Sequence, residues 1–123
     1  MFDKLKAASQ MAGMLKDLPR IQAKVEEVRA RLAETRVEGA AGGGAVRAVV
    51  FCDLRVDAVH LEPSVFTGLA NGSDSDRSYA NRLVAEAVND ALARARARMA
   101  EELGRAAQES GLDLPPGVLE RLG

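Results

Sequence analysis

Two residues that could act as nucleophile, base or metal ligand are Cys52 and His60. Each is the only one of its type, so the chain cannot form an internal disulfide or a Cys/His zinc site. His60 lies between Val59 and Leu61, with no Cys, Ser or second His at a useful spacing. This favours a strand histidine with a structural hydrogen bond over a catalytic one. We expect Cys52 to pack as a small apolar residue. The sequence therefore predicts no catalysis, no metal and no cofactor.

A glycine-rich segment, Gly39–Gly44, is a second candidate site because such loops can bind phosphate groups through backbone N–H donors. The segment reads EGAAGGGAV, lacks the Gly-Lys-Ser/Thr ending of a phosphate loop, and leads into a predicted strand rather than a helix. It is more typical of a hairpin turn.

Basic side chains on two predicted helices are the remaining candidates. Spacings of four place Arg94 and Arg98 on one helical face, and Arg20 and Lys24 on another. Lys16 and Arg96 stand beside these pairs in the sequence. Arginine and lysine at such positions can bind phosphate groups.

An alternative interpretation is that these cations form salt bridges within their own helices. Arg98 has Glu102 four residues later, and Arg82 has Glu86. Because exposed charges on helices are common, periodicity alone favours this alternative.

The charge balance argues against a strongly basic DNA-binding chain. The 123 residues include 17 Lys+Arg and 18 Asp+Glu, for a net charge of −1. The distribution is uneven: residues 1–38 hold eight basic and six acidic side chains, whereas residues 39–78 hold three and five. We therefore expect any contact with a polyanion to be confined to the helices and to be weak and salt-sensitive.

The first helix must position part of this basic set. Its apolar residues recur at spacings of three and four, the 3.5-residue period of a helix that packs against a partner helix. They are Met11, Met14, Leu18, Ile21, Val25, Val28 and Leu32. A helix over residues 11–32 would be about 33 Å long, at about 1.5 Å per residue. It is too long to be covered by the rest of so small a chain, so it must project or pair. Pro19 bends this helix, or Asp17 caps a second one; the unbroken period favours a bent continuous helix.

Residues 37–62 change character. β-Branched residues between glycine turns, ended by Pro63, predict two or three short antiparallel strands. Small apolar residues on both faces predict a sheet that is covered on both sides, one cover being a second copy of the chain. Residues 63–78 read as a polar loop, with Ser75 or Asp76 capping the next helix.

The second long helix is predicted over 79–110. Its apolar residues form one stripe: Val84, Val88, Leu92, Ala95, Met99 and Leu103. A tail over 111–123 contains Pro115-Pro116 and cannot simply continue the helix. We expect one soluble cytoplasmic domain, because no stretch is long and apolar enough to cross a membrane and the N-terminus lacks a signal peptide.

Five segments in this order resemble one family over nearly the whole chain. They are MFDKL, VEGAAGGGAVRAVV, VHLEPSVF, LVAEAVNDALARA and LPPG. The chain resembles the YbaB/EbfC family of bacterial nucleoid-associated proteins. It departs from that pattern at Phe51-Cys52, where the family commonly has an Asn-Gly turn, at Pro19, and in the polar loop around 71–78.

The resemblance implies a single YbaB/EbfC-like α+β domain over 1–123: a helical arm over 1–36, a short antiparallel β-meander over 37–62, and a long C-terminal helix. It also implies a homodimer assembled around a shared central sheet. This homodimer is expected to lie in the nucleoid and to bind duplex DNA with little or broad sequence preference. Because the family's DNA contacts are attributed to the helical arms, the contacts expected here are Lys4, Lys6, Lys16, Arg20, Lys24, Arg94, Arg96 and Arg98.

A second hypothesis is a dimeric protein-interaction module, whose arms hold a protein of replication or recombination. The sequence predicts no membrane partner for either hypothesis.

Overall fold

The structure is a computed structural model that describes the backbone of residues 2–109 and the side chains of residues 12 and 15–109. Its elements are α1 (Phe2–Glu34), β1 (Arg36–Ala41), β2 (Val46–Phe51), β3 (Val56–Leu61), α2 (Pro63–Asn71) and α3 (Asp74–Glu109). The predicted order of long helix, antiparallel meander and long helix is confirmed. The predicted tail, 111–123, lies outside the described residues.

Helix α1 is continuous through Pro19, as the unbroken apolar period predicts. Its C-terminal part is anchored in the core, because Val28 and Leu32 are buried, whereas Leu15 and Leu18 are 66% and 43% exposed. Among the described side chains, the C-terminal end of the apolar seam therefore packs within the chain, and Leu15 and Leu18 lie on the surface.

The three strands form one antiparallel sheet in the order β1-β2-β3. The turn between β1 and β2 contains Gly42, Gly43 and Gly44, whose φ angles are +62°, +67° and +95°. L-residues with a side chain rarely adopt this left-handed backbone, so the turn requires glycine. The glycine run is therefore the predicted hairpin turn.

The sheet buries one face in the core of this chain. Val46, Ala48 and Val50 of β2 are fully buried on that face, while Arg47, Val49 and Phe51 alternate onto the other. On the second face, the guanidinium groups of Arg36 and Arg55 lie 4.8 Å and 4.7 Å from the centre of the Phe51 ring. The prediction of a second cover for this face stays a prediction.

Helix α3 packs on the buried face through alanines. Ala87, Ala91 and Ala95 are fully buried. Of the predicted stripe, Ala95 and Leu103 are buried, whereas the other four members, Val84, Val88, Leu92 and Met99, are only half-buried. The buried face therefore agrees with the predicted stripe only in part, because small side chains let the helix come closest to the sheet.

Gly39 of β1 shows how close this approach is. A Cβ atom added there would lie 2.6 Å from the Cα of Ala91 and 2.8 Å from the carbonyl oxygen of Ala87. Both are backbone atoms, which cannot move aside as a flexible side chain can. The sequence EGAAGGG thus combines two kinds of glycine: one for close packing and three for a turn.

The prediction of a polar loop over 63–78 is wrong in most of its length. Helix α2 occupies Pro63–Asn71, with Pro63 in its first turn, where the missing N–H costs nothing. Val65 is buried and Leu69 packs against the core, so a small apolar face stabilises the helix.

The start of α3 also differs from the predicted cap at Ser75 or Asp76. The hydroxyl of Ser73 accepts the N–H of Asp76 at 3.2 Å, and the carboxylate of Asp76 accepts the N–H of Ser73 at 3.2 Å. This reciprocal pair is a capping box with Ser73 as the N-cap.

Asp90 ties α3 to the edge strand β1. Its carboxylate accepts the backbone N–H of Ala40 at 3.0 Å and Nε of Arg94 at 3.2 Å. The bond from Ala40, assisted by Arg94, holds the pKa of the Asp90 carboxyl below its usual range. The ionised carboxylate therefore contributes to the stability of the folded state.

We predict that Gly39→Ala destabilises the protein by about 3 kcal/mol, because the new methyl group must push α3 from the sheet. Gly68→Ala, within α2, is the matched control. A Cβ atom at Gly68 would make an ordinary contact with the carbonyl oxygen of Asp76 at 3.9 Å. The substitution should stabilise the protein by about 0.5–1 kcal/mol. Urea unfolding measures both, and equal effects would contradict the close packing.

We predict that Asp90→Asn lowers the melting temperature at neutral pH. In this variant the melting temperature should also fall less on acidification than it does in the wild type. A carboxyl whose pKa is lowered by folding contributes stability above its unfolded pKa, and this is lost as the pH falls through the folded value. The difference in melting temperature between pH 7 and about pH 3 should be smaller than in the wild type. Glu27→Gln, at an exposed position on α1, should leave that difference unchanged.

Candidate nucleic-acid interface

The basic residues predicted to contact DNA lie on the two long helices. Lys16, Arg20 and Lys24 are on α1, and Arg94, Arg96 and Arg98 are on α3. Lys4 and Lys6 are also in α1, but their side chains lie outside the described residues. The structure can therefore place six of the eight predicted contacts.

Ion pairs between the helices bring the two sets together. Arg31 of α1 contacts Glu102 of α3 at 3.1 Å, and Lys24 contacts Glu109 at 3.4 Å. Lys24 precedes Arg31 in α1, whereas its partner Glu109 follows Glu102 in α3. The two helices therefore run antiparallel here. The C-terminal part of each helix thus lies beside the other.

The charged residues follow the same spacing on both helices. On each helix, a first cation is followed four residues later by a second cation. A glutamate comes three residues after the second cation, and an arginine comes four residues after the glutamate. The positions are Arg20, Lys24, Glu27 and Arg31 on α1, and Arg94, Arg98, Glu101 and Arg105 on α3. Spacings of three and four keep each set on one helical face.

Arg96 is not part of the α3 set. It is two residues from both Arg94 and Arg98, which turns it roughly 200° around a helix of 3.6 residues per turn. Neither Arg96 nor Lys16 forms an ion pair with the residues that the structure describes. The predicted cluster of Arg94, Arg96 and Arg98 is therefore split between two faces.

Most of the other predicted contacts are ion-paired within the chain. Arg94 contacts Asp90 and Arg98 contacts Glu102, both at 3.2 Å, and Arg20 contacts Asp17 at 3.8 Å. The pair of Arg98 with Glu102 is the one that the alternative interpretation predicts. The pair of Arg82 with Glu86 does not form among the described residues. Exposed pairs of this kind contribute only about 0–1 kcal/mol, so exchanging a carboxylate for a phosphate costs little.

Glu102 is the centre of the largest charged cluster. One carboxylate oxygen accepts Nε of Arg98 and Nη1 of Arg105, both at 3.2 Å, and the other accepts Nη2 of Arg31 at 3.1 Å. The Glu102 side chain is 9% exposed, whereas each arginine is about half exposed. Burial disfavours the charged carboxylate, but the three arginines outweigh it and lower the pKa of Glu102.

Sequence reasoning missed two members of this cluster, Arg31 and Arg105. Arg105 follows Glu101 by four residues and Glu102 by three, so the spacing within α3 could have identified it. No such signal exists for Arg31, because it is 71 residues from Glu102 in sequence and reaches it only through the packing of the two helices.

The residues first considered for catalysis lie elsewhere. His60 is exposed on β3 opposite Arg47. Its side chain forms no hydrogen bond within the described part of the chain, so the predicted structural bond is wrong. Cys52 is fully buried, as predicted for an apolar packing role, and burial raises the pKa of its thiol. Among the described residues, no helix has the length and apolarity to span a membrane.

Comparison with known proteins agrees with this arrangement. A model of the YbaB/EbfC DNA-binding family matches residues 7–110. Nucleoid-associated protein BAV0915 of Bordetella avium (strain 197N) is 35% identical over 109 residues, which cover 89% of this chain and 93% of that protein. The two long helices and the intervening sheet, 2–109, coincide almost completely with the matched range. The chain therefore belongs to the YbaB/EbfC DNA-binding family.

Proposed function

We propose that this protein is a homodimeric nucleoid-associated protein that binds duplex DNA through the basic faces of α1 and α3. Membership of a DNA-binding family supports the ligand. The observation that supports the site is the antiparallel pairing of α1 and α3, which joins two basic faces of the same spacing. The relative's name also supports a place in the nucleoid.

The composition favours contact with the DNA backbone over contact with bases. Aromatic residues are 3% of the chain, and Phe51 already lies against Arg36 and Arg55. Stacking on bases therefore has few side chains available. Contacts from arginine and lysine to phosphates carry no direct sequence information, which fits little or broad sequence preference.

We propose Lys16, Arg20, Lys24, Arg94, Arg96 and Arg98 as contacts, with Lys4 and Lys6 farther along α1. Lys16 and Arg96 can contact phosphate without giving up an ion pair within the described residues. Arg20, Lys24, Arg94 and Arg98 must share or exchange a carboxylate. This exchange, together with a net charge of −1, predicts modest affinity that depends steeply on salt.

Self-association is supported by apolar side chains on the surface of α1. Leu15 and Leu18 of α1 are 66% and 43% exposed. A second copy of the chain is the proposed cover.

We predict that affinity for a short duplex falls steeply with salt. With about six phosphates neutralised, the dissociation constant should rise on the order of 10³-fold between 50 and 200 mM salt. Fluorescence anisotropy measures this. A scrambled duplex of the same length should bind with similar affinity.

Absence of duplex binding at low salt up to high micromolar protein would contradict the proposal. In that case a pull-down with nuclease treatment tests the second hypothesis. A protein of replication or recombination that survives nuclease would support an interaction module instead.

We predict a solution mass of twice 13.1 kDa by light scattering at micromolar concentration. The double variant Leu15→Glu/Leu18→Glu should shift the mass toward the monomer, because two buried charges disfavour the interface. The exposed pair Glu26→Gln/Glu27→Gln is the control and should remain dimeric. A monomeric wild type would contradict the proposed assembly.

A further inference from the structure

The cluster around Glu102 has a feature that the other ion pairs lack. Three arginines from two helices converge on one buried carboxylate, and Glu101 lies 3.0 Å from Nη2 of Arg105. Glu109 also lines the cleft beside Arg31 and Arg105, and it pairs with Lys24 at 3.4 Å. With that lysine counted, four positive charges stand against three negative ones, a surplus of one. By contrast, Arg94 with Asp90 is a balanced pair.

Many donors of the cluster remain available. A guanidinium carries five N–H donors. Glu102 takes one from Arg31, one from Arg98 and one from Arg105, and Glu101 takes a second from Arg105. The three side chains are 55%, 49% and 55% exposed, so their outer sides face solvent. An anion in solvent can reach them without entering the core.

Glu102 explains why three like charges can stand together. Its carboxylate is 9% exposed and lies beneath the guanidinium groups, where it offsets their mutual repulsion and fixes one edge of each. The opposite edges of Arg31 and Arg98 are left in place for a second acceptor, and at Arg105 a phosphate oxygen would replace Glu101, whose side chain is 62% exposed. A phosphodiester fits this arrangement, because arginine forks bind planar pairs of phosphate oxygens.

We propose that Arg31, Arg98 and Arg105 form a phosphate clamp that holds the DNA backbone across the junction of α1 and α3, with Glu102 as its positioning residue. This inference rests on the proposed DNA binding and adds Arg31 and Arg105 to the contacts. The clamp also couples binding to the relative position of the helices, because its cations come from both.

Variants of Arg105 test the clamp most cleanly, because the bond from Arg31 to Glu102 stays in place when Arg105 is changed. Arg105→Gln should weaken duplex binding several-fold and reduce the slope of log affinity against log salt by about 0.9, the loss of one phosphate contact. Arg105→Lys keeps the charge and should keep most of the slope. Arg31→Gln should reproduce the loss from the other helix.

Arg77→Gln is the matched control. Arg77 is an exposed arginine that contacts Asp74 at 3.2 Å near the start of α3, far from the clamp along the helix. Its removal changes the net charge equally but should leave the slope unchanged. Thermal melting shows whether each variant is folded. If Arg105→Gln does not fold, the slope of Arg31→Gln decides the question.

The outcomes separate the two proposals. A wild type without duplex affinity overturns DNA binding and the clamp together. A wild type that binds, with slopes for Arg105→Gln and Arg31→Gln equal to that of Arg77→Gln, overturns the clamp alone. Inorganic phosphate should not displace the duplex at low millimolar concentration and constant ionic strength. Displacement that is lost in Arg105→Gln would make this a site for free phosphate and overturn its assignment to the DNA backbone.

Discussion

The close packing of α3 on the sheet is the constraint on which the other features depend. Gly39 has no side chain where the backbone of Ala91 approaches, and alanines line the helix at the same contact. Such contact fixes the rotation of α3, since a turned helix would place a longer side chain against β1. Asp90 then fixes its position along the strand through the N–H of Ala40. With rotation and translation both set, the directions of all charged residues on α3 follow.

The position of α1 is a consequence of this packing and uses a different kind of contact. Val28 and Leu32 anchor its C-terminal part in the core, and Arg31, between them, reaches Glu102. Apolar burial supplies most of the attraction, because a half-exposed ion pair adds little. The ion pairs instead select the register of the two helices. The face that α1 shares with α3 is therefore also the face on which their cations meet.

Much of the fold follows from local sequence. Valine-rich segments between glycine turns predict the strands, and the unbroken apolar period predicts that α1 passes Pro19 without ending. Helix α2 was not predictable in the same way, because Gly68 and the Ser- and Asp-rich residues that follow the helix resemble a loop, and only burial of Val65 and Leu69 reveals its apolar face. The buried face of α3 was predicted only in part, at Ala95 and Leu103, because alanine occurs all around that helix and hydrophobicity alone cannot say which alanines touch the sheet. The candidate site divides similarly: spacing within one helix predicts Arg98 with Glu102, but only tertiary packing adds Arg31.

Ion pairing reconciles a net charge of −1 with the proposed DNA-binding surface. Unpaired arginines at this density would repel one another and destabilise the helix pair, whereas carboxylates at intervening positions keep them together. The acids differ in accessibility. Asp17 and Glu109 are more than half exposed and can move aside when a phosphate approaches, whereas Glu102 is almost fully buried and stays. The exposed acids determine how much binding free energy is spent when a phosphate replaces a carboxylate. The buried Glu102 determines the positions of the arginine side chains around it. A protein built this way should bind the backbone of many DNA sequences reversibly, because its contacts recognise phosphate geometry and each exchange is nearly balanced in free energy.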